Sequence, residues 1–220
     1  ASLGATVAIL MGIGTMFGSN YVGVMAFLGA FCISLAVVGI ANLGGRATSV
    51  KLLLAGMALS SICSAFSSFI VYFAHDRDGI KDVSYWLMGS FTSATYKKLL
   101  IGSPLILIGI VVIYLLRWRL NILSLSEDEA KASGINLKRT QMIFILASTV
   151  ITASAVSMCG QVGWIGLLVP HCARMLVGSN NRYVVPISLS LGASFMILID
   201  TLSRTISVIE LPLSILTAII

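Results

Sequence analysis

Five stretches of this chain contain no Asp, Glu, Lys, Arg or His: Ala1 to Gly45, Leu52 to Ala74, Leu99 to Leu116, Thr140 to Pro170 and Tyr183 to Ile199. A helix crossing a hydrocarbon core of about 30 Å needs roughly 20 mostly apolar residues. Inside that core every backbone polar group must be bonded within its own segment. Uncharged windows of this size therefore predict an all-α fold, a polytopic membrane helix bundle. Charged residues make up 10% of the chain, against about 25% in a soluble domain, so much of the surface must face lipid. The first window holds two helices joined by the polar break Gly18-Ser19-Asn20, and the fourth can start a further helix after Met158. The expectation is seven spans, with an eighth opening at Leu211. No basic stretch precedes the first apolar run and no small-residue cleavage site follows it, so a secretory leader is not expected. A start in mid-membrane suits truncation better than processing.

The net charge of +6 has a membrane explanation rather than a nucleic-acid one, because cytoplasmic loops accumulate Lys and Arg. One set of alternate loops carries Arg46, Lys51, Arg117, Arg119, Lys131, Lys138, Arg139, Arg174 and Arg182. The other carries Arg77, Lys81, Lys97, Lys98 and Arg204. The richer set is placed in the cytoplasm. Helix 1 then runs outward, Tyr21 to Asn42 inward, Leu52 to Phe73 outward and Leu99 to Leu116 inward. Thr140 to Met158 runs outward, Gly163 to Val177 inward and Val184 to Asp200 outward. The outer loop from His75 to Lys98 is long enough for structure of its own, and Trp86 within it reads as an interfacial anchor.

The inner loop, 117–139, is the more informative. Ser126, Glu127, Asp128 and Glu129 fit a capping box, in which the Ser126 hydroxyl takes the Glu129 amide and the Glu129 carboxylate returns to the Ser126 amide. Acidic residues in the first turn suit the positive end of the helix dipole. With Ala130 and Ser133 inside and Gly134 as a left-handed stop, the helix has about two turns, too few to persist alone in water. It needs a partner surface: either its own membrane domain or a docked cytoplasmic subunit.

Several chemistries find no residues to carry them. There is no GxxxxGK[ST] phosphate loop and no HExxH. Cys32, Cys63, Cys159 and Cys172 are scattered and lack metal-ligand spacing, and read as packing residues. No catalytic, cofactor or metal site is expected. His171 stands at a helix end, either as hydrogen-bonded structure or as a ligand or proton carrier. Ionisable residues, which mark ion paths inside spans, are nearly absent from helix centres. Asp200 lies four residues before Arg204, where the two can pair locally. Gly14 with Gly18, and Gly160, Gly163 and Gly166, are spaced for close helix approach.

Four stretches resemble those of a known family, the ten-helix FecCD-type permeases of ABC importers for iron-siderophores, haem and vitamin B12. They are LLLAGMAL from Leu52, YWLMGSF from Tyr85, GWIGLLVPHCAR from Gly163 and DTLSRTISVIELPLSILTAII from Asp200. The motif residues within them are Trp86, Gly89, Gly163, Gly166, Pro170, His171, Arg174, Asp200 and Pro212. The resemblance implies a single transmembrane domain over 1–220, truncated at both ends, lacking the family's first two helices and most of its last. It implies a second permease subunit, two ATP-binding subunits that use ATP and Mg outside this chain, and an extracytoplasmic substrate-binding protein. Residues Ser126 to Gly134 match the family's coupling helix, and Arg204, with Glu210, matches its docking position for the binding protein. Ser214 stands where the family has Gly. The implied function is a non-enzymatic transport subunit of the bacterial cytoplasmic membrane, moving an iron-siderophore, haem or cobalamin. The competing readings are an ion-coupled secondary transporter of the inverted-repeat type, with matched helix breaks, and an intramembrane enzyme.

Overall fold

A computed structural model describes residues 1–12, 19–43, 48–74, 77–92, 94–123, 134–206 and 212–219. The described residues form helices α1 (Ser2–Leu10), α2 (Ser19–Asn42), α3 (Ser49–Phe73), α4 (Arg77–Met88) and α5 (Tyr96–Leu123), followed by α6 (Leu137–Cys159), α7 (Ile165–Val177), α8 (Asn181–Ile206) and α9 (Leu213–Ile219). Among them, α2, α3, α5, α6 and α8 are long and apolar enough to cross a membrane.

Local chemistry fixes where these helices start. The Thr48 hydroxyl accepts the Lys51 amide at 3.4 Å and opens α3. Asn136 accepts the Arg139 amide at 3.1 Å and opens α6. Asn180 accepts the Arg182 amide at 3.0 Å and opens α8. Each satisfies one of the donors that a helix N-terminus leaves without an intrahelical partner.

Three expectations need correction. The sixth segment yields α7, whose 13 residues rise only about 20 Å, short of the hydrocarbon core. Pro170 lies inside α7 and has no amide to give its preceding turn. The seventh helix does not end at Asp200 but continues to Ile206, carrying Arg204 in its last turn. Gly160, Gly163 and Gly166 do not share a helix face: Gly160 and Gly163 lie in the break between α6 and α7, and Gly166 lies on α7. The pair Gly14 and Gly18 falls outside the described residues.

The chain divides into two compact units, residues 1–103 with 152–161, and residues 104–151 with 162–220. In the first, α1 packs on α2, α3 and α4, and α2 on α3. Gly4 of α1 faces Gly29 of α2, and a Cβ on Gly29 would stand 3.3 Å from the Gly4 Cα. Such proximity is how membrane helices gain packing energy, since lipid gives them no hydrophobic reason to associate. In the second unit, α8 packs on α7 and α9. There a Cβ on Gly163 would lie 2.8 Å from the Thr217 hydroxyl.

Candidate functional site

The amphipathic outer-loop helix α4 brings its C-terminal motif against the end of α6. Val83 of α4 is buried, while Asp78, Lys81, Asp82 and Tyr85 are exposed. The helix stops at Gly89, whose φ is +68° and whose amide donates to the Trp86 carbonyl at 3.3 Å. The Ser90 amide then donates to the Cys159 carbonyl at 2.9 Å, and α6 itself stops at Gly160 with φ +76°. Both glycines take the left-handed conformation that Cβ disfavours. Trp86 therefore does more than anchor at an interface: its carbonyl receives the turn at Gly89 and lies where a Cβ on Gly160 would fall. The contact also joins two chain segments that loop charge had assigned independently to the outer side.

Within the second unit, Asn121 near the end of α5 clamps the start of α8. Its amide nitrogen donates to Asn180 Oδ1 at 2.9 Å, and its Oδ1 accepts the Asn181 amide at 2.8 Å. Sequence reading did not single out Asn121, and it took Cys159 only as a packing residue. A glycine directly after a long apolar run was the available signal for the Cys159-Gly160 turn, whereas a contact spanning some 60 residues leaves no local mark.

Arg204, the expected docking residue, forms an ion pair with Asp200 in the last turns of α8. Arg204 Nε donates to both carboxylate oxygens of Asp200 at 3.1 Å. Half of the Arg204 side chain is exposed. The arrangement holds the guanidinium against Asp200, one turn earlier on the same helix.

The remaining motif residues are dispersed. His171 and Arg174 are exposed on α7, and the Arg174 carbonyl accepts the Gly178 amide at 2.9 Å. Gly166 has open space where a Cβ would go. The Pro212 carbonyl accepts the Ile215 amide at 3.2 Å, opening α9. Gly134 is exposed with φ +68°. Ser126, Glu127, Asp128, Glu129, Ala130 and Ser133 of the expected coupling helix lie outside the described residues, as does Glu210. Among the described residues no group of three or more His, Cys, Asp or Glu side chains is placed to hold a metal ion. Cys159 is buried, whereas Cys32 and Cys172 are exposed.

The comparisons with known proteins agree with this architecture. The chain is 39% identical over 171 residues to the molybdate import system permease protein MolB of Haemophilus influenzae, covering 78% of this chain and 51% of that protein. It is 34% identical over 219 residues to a probable iron chelatin transport system permease protein of Helicobacter pylori, covering 100% of this chain and 66% of that one. The chain thus spans about half to two thirds of the length of these relatives. A solved structure described as an inward-facing metal-chelate type ABC transporter superposes with a TM-score of 0.92 at 35% identity, over all of this chain and 68% of that one. The FecCD transport family model matches residues 1–220. With that match running the whole length of a chain whose long apolar helices make it a multi-pass protein of the inner membrane, the protein belongs to the FecCD transport family.

Proposed function

We propose that this chain forms the translocation subunit of an ATP-driven importer for a metal chelate, with an iron-siderophore as the first candidate substrate. The observation that carries the reading is the full-length family match together with the superposition on a metal-chelate type transporter. The relatives' names mention both molybdate and iron chelatin, so this permease sequence does not by itself name the substrate. Selectivity in this reading belongs to an extracytoplasmic binding protein, which docks on the outer face with Arg204 and Glu210 as its contacts. ATP hydrolysis belongs to two partner subunits, engaged through Ser126 to Gly134, and a second permease completes the path.

The mechanism is alternating access. Nucleotide can drive it only by binding the two conformations with different affinity, and a short helix seated in the ATPase transmits that difference. The scarcity of charge within the apolar helices supports an external energy source over an ion-coupled carrier. The in-helix prolines Pro104, Pro170 and Pro186 do not break α5, α7 or α8, so they supply no unwound ion site of the kind such carriers use.

The test is co-purification of the full-length protein with candidate ATPase subunits, comparing wild type with Glu129→Lys combined with Gly134→Pro. Reconstituted vesicles then measure uptake of ferric siderophore, haemin, cobalamin and molybdate. Retention of an ATPase by wild type, its loss in the folded variant and ATP-dependent uptake of a chelate are expected. Failure to retain an ATPase in any nucleotide state, with uptake following an ion gradient instead, overturns the reading.

A further inference from the structure

The inner end of α5 carries a side-chain arrangement to which the proposed function assigns no role. Trp118 is exposed there, and so are Leu100, Leu107, Val111, Tyr114 and Leu115. At about 100° per residue, these positions form one stripe along the helix that leads down to Trp118. Arg117 and Arg119 are its two sequence neighbours and therefore stand about 100° to either side of it. Both turn back toward the stripe. The Arg117 guanidinium lies 3.8 Å from the Tyr114 ring centroid, and that of Arg119 lies 5.4 Å from the Trp118 ring centroid.

Each arginine keeps one nitrogen without a hydrogen-bond partner among the described residues. These are Arg117 Nη1 and Arg119 Nε, and both are buried. A buried donor in that state costs free energy and calls for an acceptor. Loop charge assigns the described acidic residues, Asp78, Asp82 and Asp200, to the outer loops and not to this end. The Asn121 bonds to Asn180 and Asn181 bring the turn before Arg182 to this same end and add to its positive charge.

We propose that this stripe binds one anionic phospholipid of the inner leaflet, its phosphate held between Arg117 and Arg119 and an acyl chain lying along Leu107 to Leu115. The dimensions fit. From Leu107 to Trp118 the helix rises about 16 Å, the depth of one leaflet in a hydrocarbon core of about 30 Å. Trp and Tyr suit the headgroup boundary, and guanidinium forks match phosphate oxygens. Loop charge places this end in the cytoplasm, where anionic headgroups attract basic clusters. The apolar track selects a lipid over a free anion, which would have no use for it.

The experiment uses the full-length protein in mild detergent and counts retained lipid by native mass spectrometry. The probes are phosphatidylglycerol and phosphatidylcholine with identical acyl chains. Wild type is expected to keep phosphatidylglycerol preferentially. Arg117→Gln with Arg119→Gln should lower that retention about thirtyfold, from the electrostatic worth of two charges at a lipid surface. Arg117→Lys with Arg119→Lys should recover part of it, and Arg139→Gln should change nothing. Equal retention of both lipids overturns the proposal, as does undiminished phosphatidylglycerol in the double Gln variant, the outcome expected if the acidic run Glu127 to Glu129 holds these arginines. Inorganic phosphate raising the melting temperature as far as the lipid does would make the site one for a free anion. Should the double Gln variant not fold, brominated phosphatidylglycerol decides. It must quench Trp118, read as wild type minus Trp118→Phe, more than brominated phosphatidylcholine, and equal quenching overturns the proposal.

Discussion

Gly89 and Gly160 each occupy the space that the other's neighbourhood denies to a side chain. A Cβ on Gly160 would stand 3.0 Å from the Gly89 Cα and overlap the Trp86 carbonyl, while a Cβ on Gly89 would overlap the Gln161 carbonyl. With both residues at positive φ, the end of α4 and the end of α6 can meet only as backbone on backbone. Replacing either by Ala combines a left-handed penalty of about 1–2 kcal/mol with an overpacking penalty of about 1–3 kcal/mol. We expect each variant to lose about 2–5 kcal/mol. The double variant should lose less than the sum, because one displacement relieves both overlaps. Thermal unfolding in detergent measures both.

Gly4 and Gly39 should behave oppositely although both sit in apolar helices. A Cβ at Gly4 would overlap the Met25 carbonyl across the α1–α2 contact, whereas nothing lies within 4 Å of one at Gly39. Gly4→Leu should reduce the folded yield severely. Gly39→Ala should be neutral or stabilise by up to about 1 kcal/mol, the helix-propensity difference. Size-exclusion profiles and melting temperatures of the two variants separate the outcomes.

Asn121→Ala should cost about 1–2 kcal/mol, since it removes an acceptor from a helix-initiating amide and a donor from Asn180 together. Asn121→Asp keeps the acceptor and loses only the donor, and should fall between Ala and wild type. The melting temperatures of the three proteins should follow that order.

Arg204→Ala should leave stability within about 0.5 kcal/mol, because an exposed i,i+4 ion pair contributes little. Under the importer reading it should still weaken binding-protein affinity at least tenfold. Asp200→Asn should weaken it less, since the guanidinium remains and only its orientation is freed. Surface-plasmon binding of the purified binding protein to the reconstituted transporter gives both numbers.

The residues explain what was legible and what was not. The uncharged windows located α2, α3, α5, α6 and α8 because apolar composition over some 20 residues is a local property that the bilayer reads directly. The motif from Gly163 led to the family, yet gave no hint that α7 would be too short to cross alone or that Gly160 and Gly163 sit outside helices. Glycines at every third position look the same whether the backbone is helical or turning. The end of α8 was misplaced for a related reason: Asp200 and Arg204 are charged, which suggests a loop, but one turn apart they pair and let the helix continue to Ile206.

Sequence alone determined the membrane habit of this protein and its family, since each depends on composition or on short ordered motifs. Only the tertiary structure decided which glycines are indispensable, which carbonyl receives the Ser90 amide and which asparagine holds the start of α8. Those outcomes depend on what stands opposite a residue, and in a bilayer, where apolar burial does not distinguish helix from lipid, close backbone approach and satisfied polar groups select the packing.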